Sequence, residues 1–411
     1  MSVPAAFDYH PATSVDEAIA LLQQYGDDAK LLAGGHSLLP TMKLRLAQPA
    51  HLIDLCKISE LSYIRDDGDA IAVGAMTRYV DIERSDLIKQ HFALLPEGVD
   101  LIGDQQVRNW GTIGGSIAHS DPAADTPGMV LALKADIVVK GPGGVRTIKA
   151  DDFFMDMMQT ALQPDEVLTE IRFPKPPAHT GSAYTKLANR ASHYAVVGCA
   201  AVLTFDGGVC TAASVVITGA SVKPTRASAV EAALVGKRGQ GGSEGGIGGL
   251  LHRIEGAFAG ENKLDDDVIA DAASHAADGL ELVSDIHGSK EYRGQMAVVM
   301  ARRAITSAIE RASWELANKY SQDRAFTSPI LAIFIAVQRD MGDASVPTQL
   351  PRSPRPYLSL RFDPDTAFVH QVDLLLNDLL SVLIVLHGFP VKVEVFRINR
   401  FFVEYLVEFG A

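Results

Sequence analysis

The sequence predicts an α+β protein of two or three domains. Three observations carry that expectation. Helix-period and strand-like segments alternate through roughly the first 140 residues. A run of hairpin-forming strands follows at 183–217, and a chain of 411 residues exceeds one ordinary domain.

Taken in order, Ser14 and Glu17 stand at capping-box spacing, with Ala18, Leu21, Leu22 and Tyr25 at helical intervals behind them, so a helix is expected over 15–25. The apolar stretch 30–33 ends in Gly34-Gly35, 37–46 has helical composition, and 51–55 reads as a strand. Further strands are expected at 70–74 and 135–140, with helices near 78–90 and 122–133. The segment FPKPPAHTG at 173–181 holds three prolines and a glycine, which marks a domain boundary. Beyond it, 183–187, 195–205 and 209–217 read as antiparallel strands, with a turn at Asp206-Gly207-Gly208. Helices are expected from 225 onward, including a long one over 291–316. Between them, 236–249 carries eight glycines and reads as a flexible surface loop. It has no Gly-Lys-Ser/Thr ending, so a Walker-type phosphate loop is not supported. From about 320 the composition shifts to proline-broken and then Leu- and Val-rich sequence with little regular pattern.

Bulk properties narrow the function. A net charge of -13 opposes sequence-independent binding to nucleic acid or anionic membranes. The longest apolar run, at 379–386, falls well short of the ~20 residues of a membrane span. Cys56, Cys199 and Cys210 form no Cys-x-x-Cys pair that would hold zinc or an iron–sulfur cluster. No basic, apolar and small-residue succession of a secretory signal opens the chain, so mature cytoplasmic sequence is expected.

Two glycine-centred turns stand out as carriers of chemistry: AGGHS at 33–37 and TIGGS at 112–116. Glycine permits positive φ and close approach of a ligand to the backbone, so each is a candidate phosphate cradle, with Ser37, Thr112 and His36 as added donors. An isolated Gly-Gly is most simply a tight turn, His36 a helix cap, and Asp121 or Asp125 a cap for the helix after Pro122. Only the combination is informative.

That combination resembles a known family. AGGHSLLPTMKLRL (33–46), HLIDL (51–55), GAMTR (74–78), QVRNWGTIGGSIAHSDPAADTP (106–127) and DEVLTEIRFP (165–174) occur in the order seen in the FAD-binding medium subunits of aerobic carbon monoxide dehydrogenase and xanthine dehydrogenase-type molybdenum hydroxylases. The likeness continues through AYTKLANRASHYAVVGCAAVL (183–203) and EYRGQMAVVMARRA (291–304), and covers roughly residues 4–312. It implies a two-subdomain FAD-binding fold of the vanillyl-alcohol oxidase and molybdopterin dehydrogenase type, followed by a smaller α+β domain. The expected division is 1–177, split near 56, then 178–316, with 317–411 an unassigned tail.

By the same resemblance, Ala33, Gly34, Gly35, His36 and Ser37 form one diphosphate cradle and Thr112, Ile113, Gly114, Gly115 and Ser116 the other. Asp125 falls near the flavin's sugar or phosphate region. Leu168 and Lys186 lie where relatives contact the isoalloxazine or its surroundings, and Tyr194 matches the aromatic residue against the ring. Ser116 departs from the asparagine common at its position, which alters the local hydrogen-bond pattern. The implied role is an electron relay: a molybdenum-cofactor large subunit and an iron–sulfur small subunit supply electrons to FAD held here, in a doubled heterotrimer. The alternatives are a self-sufficient flavin-dependent oxidase of the same broader fold and a scaffold subunit that has lost its flavin.

Overall fold

In the computed structural model the chain is described over residues 3–238 and 264–323, and in three strands near the C-terminus, Tyr357–Phe362, Val391–Asn399 and Phe402–Phe409. Met1–Thr327 form one compact unit and Ser328–Ala411 another.

The first unit opens with a small parallel sheet, β1 (Asp8–Pro11), β2 (Ala29–Leu32) and β3 (His51–Asp54), in the order β1-β3-β2. The expected helix spans Val15–Tyr25. Ser14 Oγ accepts the Glu17 amide at 3.1 Å, and Glu17 Oε2 reaches back to the Thr13 amide at 2.7 Å. Its apolar stripe of Val15, Ala18, Ile19 and Leu22 packs over Ala29, Ile53 and Leu55, which buries the face that the helical period sets aside.

A five-stranded antiparallel sheet follows. It is built from β4 (Ile64–Asp66), β5 (Ala70–Gly74), β6 (Asp136–Gly141) and β7 (Gly144–Lys149), with β8 (Phe154–Asp156) and β9 (Gln159–Thr160) as a separate hairpin. Its central strand is β10 (Val167–Pro174), and the order is β4-β5-β10-β6-β7. Helices Leu94–Asp100, Ile113–His119 and Asp125–Ala132 pack on it through Leu95, Val99, Ile113, Ile117, Met129 and Val130. The helix expected over 78–90 is two short ones, Tyr79–Arg84 and Asp86–His91, because Ser85 takes an extended conformation and its Oγ caps the second by accepting the Ile88 amide at 3.3 Å.

The Pro-rich segment leads into β11 (Thr180–Ala188), which with β12 (Ala195–Asp206), β13 (Val209–Thr218) and β14 (Thr225–Arg226) makes a four-stranded antiparallel sheet. This sheet is buried on both faces. Tyr184, Ala200 and Val216 face the core of the five-stranded sheet, while Ala183, Val197, Cys199, Ala201, Val215 and Ile217 face a second core. Strand alternation sends neighbouring residues to opposite faces, so one sheet serves both cores. The second core is closed by the long helix Lys290–Asp323 through Ala297, Met300, Ala301, Ala304, Ile305 and Ala308. Most of the glycine-rich segment, 239–249, lies outside the described residues.

In the second unit the three C-terminal strands, β15, β16 and β17 in chain order, form an antiparallel sheet arranged β15-β17-β16, with Val393 opposite Val407. The tail therefore holds regular structure that composition did not signal.

Among the described glycines the tightest approach lies at Gly181 on β11, where a Cβ would strike the Ala308 carbonyl and lie 2.5 Å from the Ala312 amide of the long helix. Gly181→Ala should therefore destabilise the chain by ~2 kcal/mol or more through overpacking. Urea unfolding checks this; an unchanged midpoint would show that helix and strand separate without cost.

Candidate functional site

The two glycine turns come from distant stretches of sequence and meet at close range. A Cβ on Gly34 would collide with the Trp110 carbonyl and lie 2.8 Å from the Gly111 Cα, and one on Gly115 would lie 3.3 Å from the Ala33 Cβ. Arg78 and Thr112 form a bridge that aligns the second turn: Tyr79 donates its amide to Gly111 O at 3.0 Å and Ile113 donates to Thr77 O at 3.0 Å.

The two turns differ in what they leave available. In the first, Gly35 has φ +74°, a left-handed conformation that favours glycine. Among the described residues no acceptor meets the backbone N–H groups of Gly34, Gly35, His36 or Ser37. Four successive donors around a left-handed residue make a concave nest suited to an anion such as a diphosphate. In the second turn the donors are already used: Ile113 N–H goes to Thr77 O, Gly114 to Ala75 O at 2.9 Å, Gly115 to Thr112 Oγ1 at 3.2 Å and Ser116 to Thr112 O at 3.2 Å. Gly114 is needed for packing, since a Cβ there would lie 2.5 Å from the Ala75 Cβ and 2.6 Å from its carbonyl oxygen. Equivalence of the two turns as donor cradles, read from their matching sequence, thus gives way to a division between an open nest and a buttress beside it.

The side chains follow the same division. His36 is exposed, and its Nδ1 donates to Gly34 O at 2.9 Å, which braces the nest from within and caps no helix. Ser116 Oγ accepts from Thr126 Oγ1 at 2.5 Å, beside the buried Tyr79 hydroxyl, whose pKa burial pushes up to about 12. The serine is therefore engaged inside the protein. Cys56 Sγ lies 3.8 Å from Ala33 O, and partial desolvation together with the neighbouring Asp54 carboxylate raises its thiol pKa to about 11, although the residue as a whole is exposed.

Asp125 does not cap its helix by a side-chain bond. It is 5% exposed, and its carboxylate accepts from the Tyr184 hydroxyl at 2.5 Å and from Lys186 Nζ at 2.8 Å. Burial raises the carboxyl pKa, while the Lys186 ammonium and the Tyr184 hydroxyl pull it back. Burial and the adjacent carboxylate push the Tyr184 phenol well above its ordinary range. Tyr184 was missed in the sequence, although residues two apart on a strand share a face and this places Tyr184 beside Lys186. Asp121 makes a local turn instead of a cap, its Oδ1 accepting the Ala123 amide at 2.9 Å.

Tyr194 is 38% exposed at the end of the 189–194 turn and faces Ser37 of the nest; burial, then Asp121, raises its phenol. Leu168 lies apart from these groups, 5% exposed on β10 within the apolar core. Its neighbour Thr169 accepts the Ala75 amide at 2.9 Å, which places Leu168 behind the buttress. The structure thus brings together Ala33 to Ser37, Thr112 to Ser116 and Tyr194, sets Asp125 and Lys186 beneath them as a buried pair, and keeps Leu168 in the core.

Comparison with known proteins gives the family. Residues 5–176 match the FAD binding domain in molybdopterin dehydrogenase, and 182–243 with 245–308 match the CO dehydrogenase flavoprotein C-terminal domain. The chain is 41% identical over 309 residues to the carbon monoxide dehydrogenase medium chain of Hydrogenophaga pseudoflava, covering 75% of this chain and 99% of that one. It is 33% identical over 301 residues to the glyceraldehyde dehydrogenase medium chain of Sulfolobus acidocaldarius, covering 73% and 98%. Among solved structures, a carbon monoxide dehydrogenase from Hydrogenophaga pseudoflava that lacks the Mo-pyranopterin moiety superposes with a TM-score of 0.68 at 42% identity, over 75% of this chain and 99% of that one.

The contrast between the turns yields a paired test. Gly35→Ala should weaken flavin binding at least tenfold, because a strained left-handed alanine reshapes the nest, at a stability cost of about 1 kcal/mol. Gly114→Ala should instead lower the unfolding free energy by ~1–3 kcal/mol through the clash with Ala75, with the smaller effect on flavin affinity. Flavin titration and urea unfolding of both variants decide it; identical behaviour in both assays would refute the division of roles.

Proposed function

This chain belongs to the family of FAD-binding medium subunits of carbon monoxide dehydrogenase and related molybdenum hydroxylases, and we propose that it acts there as an electron relay, receiving electrons from a partner's iron–sulfur clusters and passing them through FAD to an external acceptor. The observation that carries the reading is the open nest at Gly34 to Ser37, four unmet donors held against a second glycine turn in a chain with this family's domains. When bound, FAD supplies the one- and two-electron chemistry of its isoalloxazine ring.

The chain's own contribution is to bind and orient. The amides of Gly34, Gly35, His36 and Ser37 would hold the diphosphate, and the turn Thr112 to Ser116 would support that nest from the side. Tyr194 would face the ring system, with the Asp125–Lys186 pair and Leu168 supporting the protein around it. We assign residues 1–177, in two subdomains split near 56, to the FAD-binding domain and 178–316 to the C-terminal domain of the medium subunit, which adds Lys186 and Tyr194 to the flavin's surroundings, with 317–411 unassigned. An iron–sulfur cluster needs about four thiolate ligands, and this chain has three separated cysteines, two of them buried, so those centres come from a partner. A large molybdenum-cofactor subunit and a small iron–sulfur subunit complete the enzyme, doubled by a two-fold axis in the cytoplasm.

Two outcomes test this. Expressed with the two partner subunits, the chain should enter a complex of all three, and with FAD but without partners it should turn over no organic substrate; size measurements showing no association, or turnover by the chain alone, would favour a self-sufficient oxidase. A chain ending at Ala317 should bind FAD as tightly as the full chain, because every proposed flavin residue lies before 195. Loss of flavin from that truncated chain, followed by absorbance after gel filtration, would make the tail part of the site.

A further inference from the structure

We propose that Lys186 and Asp125 are positioning residues: together they clamp the turn at 189–194 that carries Tyr194, and neither is a direct ligand of the flavin. The proposal rests on the reading that Tyr194 lies against the flavin, and it goes beyond that reading by assigning what fixes Tyr194 in place.

The Lys186 side chain is 1% exposed, and its ammonium has three hydrogens. Each has an acceptor: Leu101 O at 2.7 Å, Asp125 Oδ2 at 2.8 Å and His193 O at 2.8 Å. No proton is left for a ligand. The acceptors belong to three separate pieces of chain, namely the residue after helix Leu94–Asp100, the start of helix Asp125–Ala132 and the turn between β11 and β12. The carboxylate of Asp125 is 5% exposed and points inward, with Oδ1 taking the Tyr184 hydroxyl and Oδ2 the ammonium. Tyr184 and Lys186 reach it from the same face of β11, so the strand itself sets the geometry of the pair.

The turn needs such a clamp. His193 has φ +60°, a conformation that a side-chain-bearing residue holds only under constraint. Local bonds shape the loop: Asn189 Oδ1 accepts the amides of Ala191 at 2.8 Å and Ser192 at 3.2 Å, and His193 N–H goes to Asn189 O at 2.9 Å. These bonds are internal to the loop and would move with it. The Lys186 bond to His193 O ties the loop directly to the body beneath it, one residue before Tyr194, while Ala195 N–H to Ala123 O at 3.0 Å pins the residue after. Tyr194 is thus bracketed by two anchors to the region around Asp125.

The experiment uses the full chain with FAD as the probe and compares Lys186→Met, Tyr194→Ala and the double variant. Two quantities are read: FAD affinity, and amide hydrogen exchange across 189–195 in the flavin-free protein. Lys186→Met should speed exchange in 189–195 and weaken FAD by about tenfold when Tyr194 is present, with little further loss in the Tyr194→Ala background, because both changes remove the same interaction. An equal loss of affinity in both backgrounds would make Lys186 a direct ligand, and unchanged exchange in 189–195 would remove the clamp; either overturns the proposal. A Tyr194→Ala chain that binds FAD like the parent would overturn the underlying placement of Tyr194 instead, while the exchange data still decide the clamp. Should Lys186→Met strand the Asp125 charge and unfold the chain, Lys186→Met with Asp125→Asn removes both charges and carries the same comparison.

Discussion

The sheet of β11, β12 and β13 must be apolar on both faces, and much of the first unit depends on that. One face closes the core over the five-stranded sheet and the other closes the core under the long helix. A sheet so placed has little room for polar side chains except near its ends. Tyr184, at the middle of β11, and Lys186, toward its end, send their polar groups to converge on Asp125. A buried carboxylate is tolerable only when its acceptor sites are filled, and here a phenol and an ammonium fill them. The demand for two apolar faces and the buried pair beside the site are therefore one arrangement seen from two sides.

The glycine turns show how similar local sequence can serve different physical ends. AGGHS leaves its amides free because the chain turns through a left-handed glycine and the helix that follows begins only at Leu38. TIGGS leaves few, because Thr112 caps the helix starting at Ile113 and the carbonyls of Ala75 and Thr77 take the next donors. Small side chains are required in both places, in one for backbone conformation and in the other for the approach of a neighbouring strand.

Much of this was legible in the sequence. The capping box at Ser14 and Glu17, the paired glycines, the Asp206-Gly207-Gly208 turn and the long C-terminal helix follow from local chemistry and stand where expected. Strand β10 did not show itself, because VLTEIRFP carries Thr169, Glu170 and Arg172 and its alternation breaks at a register shift between Leu168 and Glu170. Ser85 looked like an interior helix residue and is a cap. The pairing of Asp125 with Lys186 was also out of reach, since it spans 61 residues and nothing near either one signals it. Saturation of the second turn depends likewise on Ala75 and Thr77, distant in sequence and unremarkable in composition.

The meeting of Gly34 with Trp110, and of Ser37 with Tyr194, has a consequence for the order of events in the life of the chain. Synthesis proceeds from the N-terminus, so the nest emerges first, without its buttress and without the aromatic residue that faces it. Contacts this far apart in sequence form slowly, because loop closure must precede any gain from them. Helix Val15–Tyr25 and its small sheet can assemble while the rest is still being made. The ribosome must deliver the turn after β11 before the nest has its full surroundings, so the complete site closes only after about half of the chain has been made.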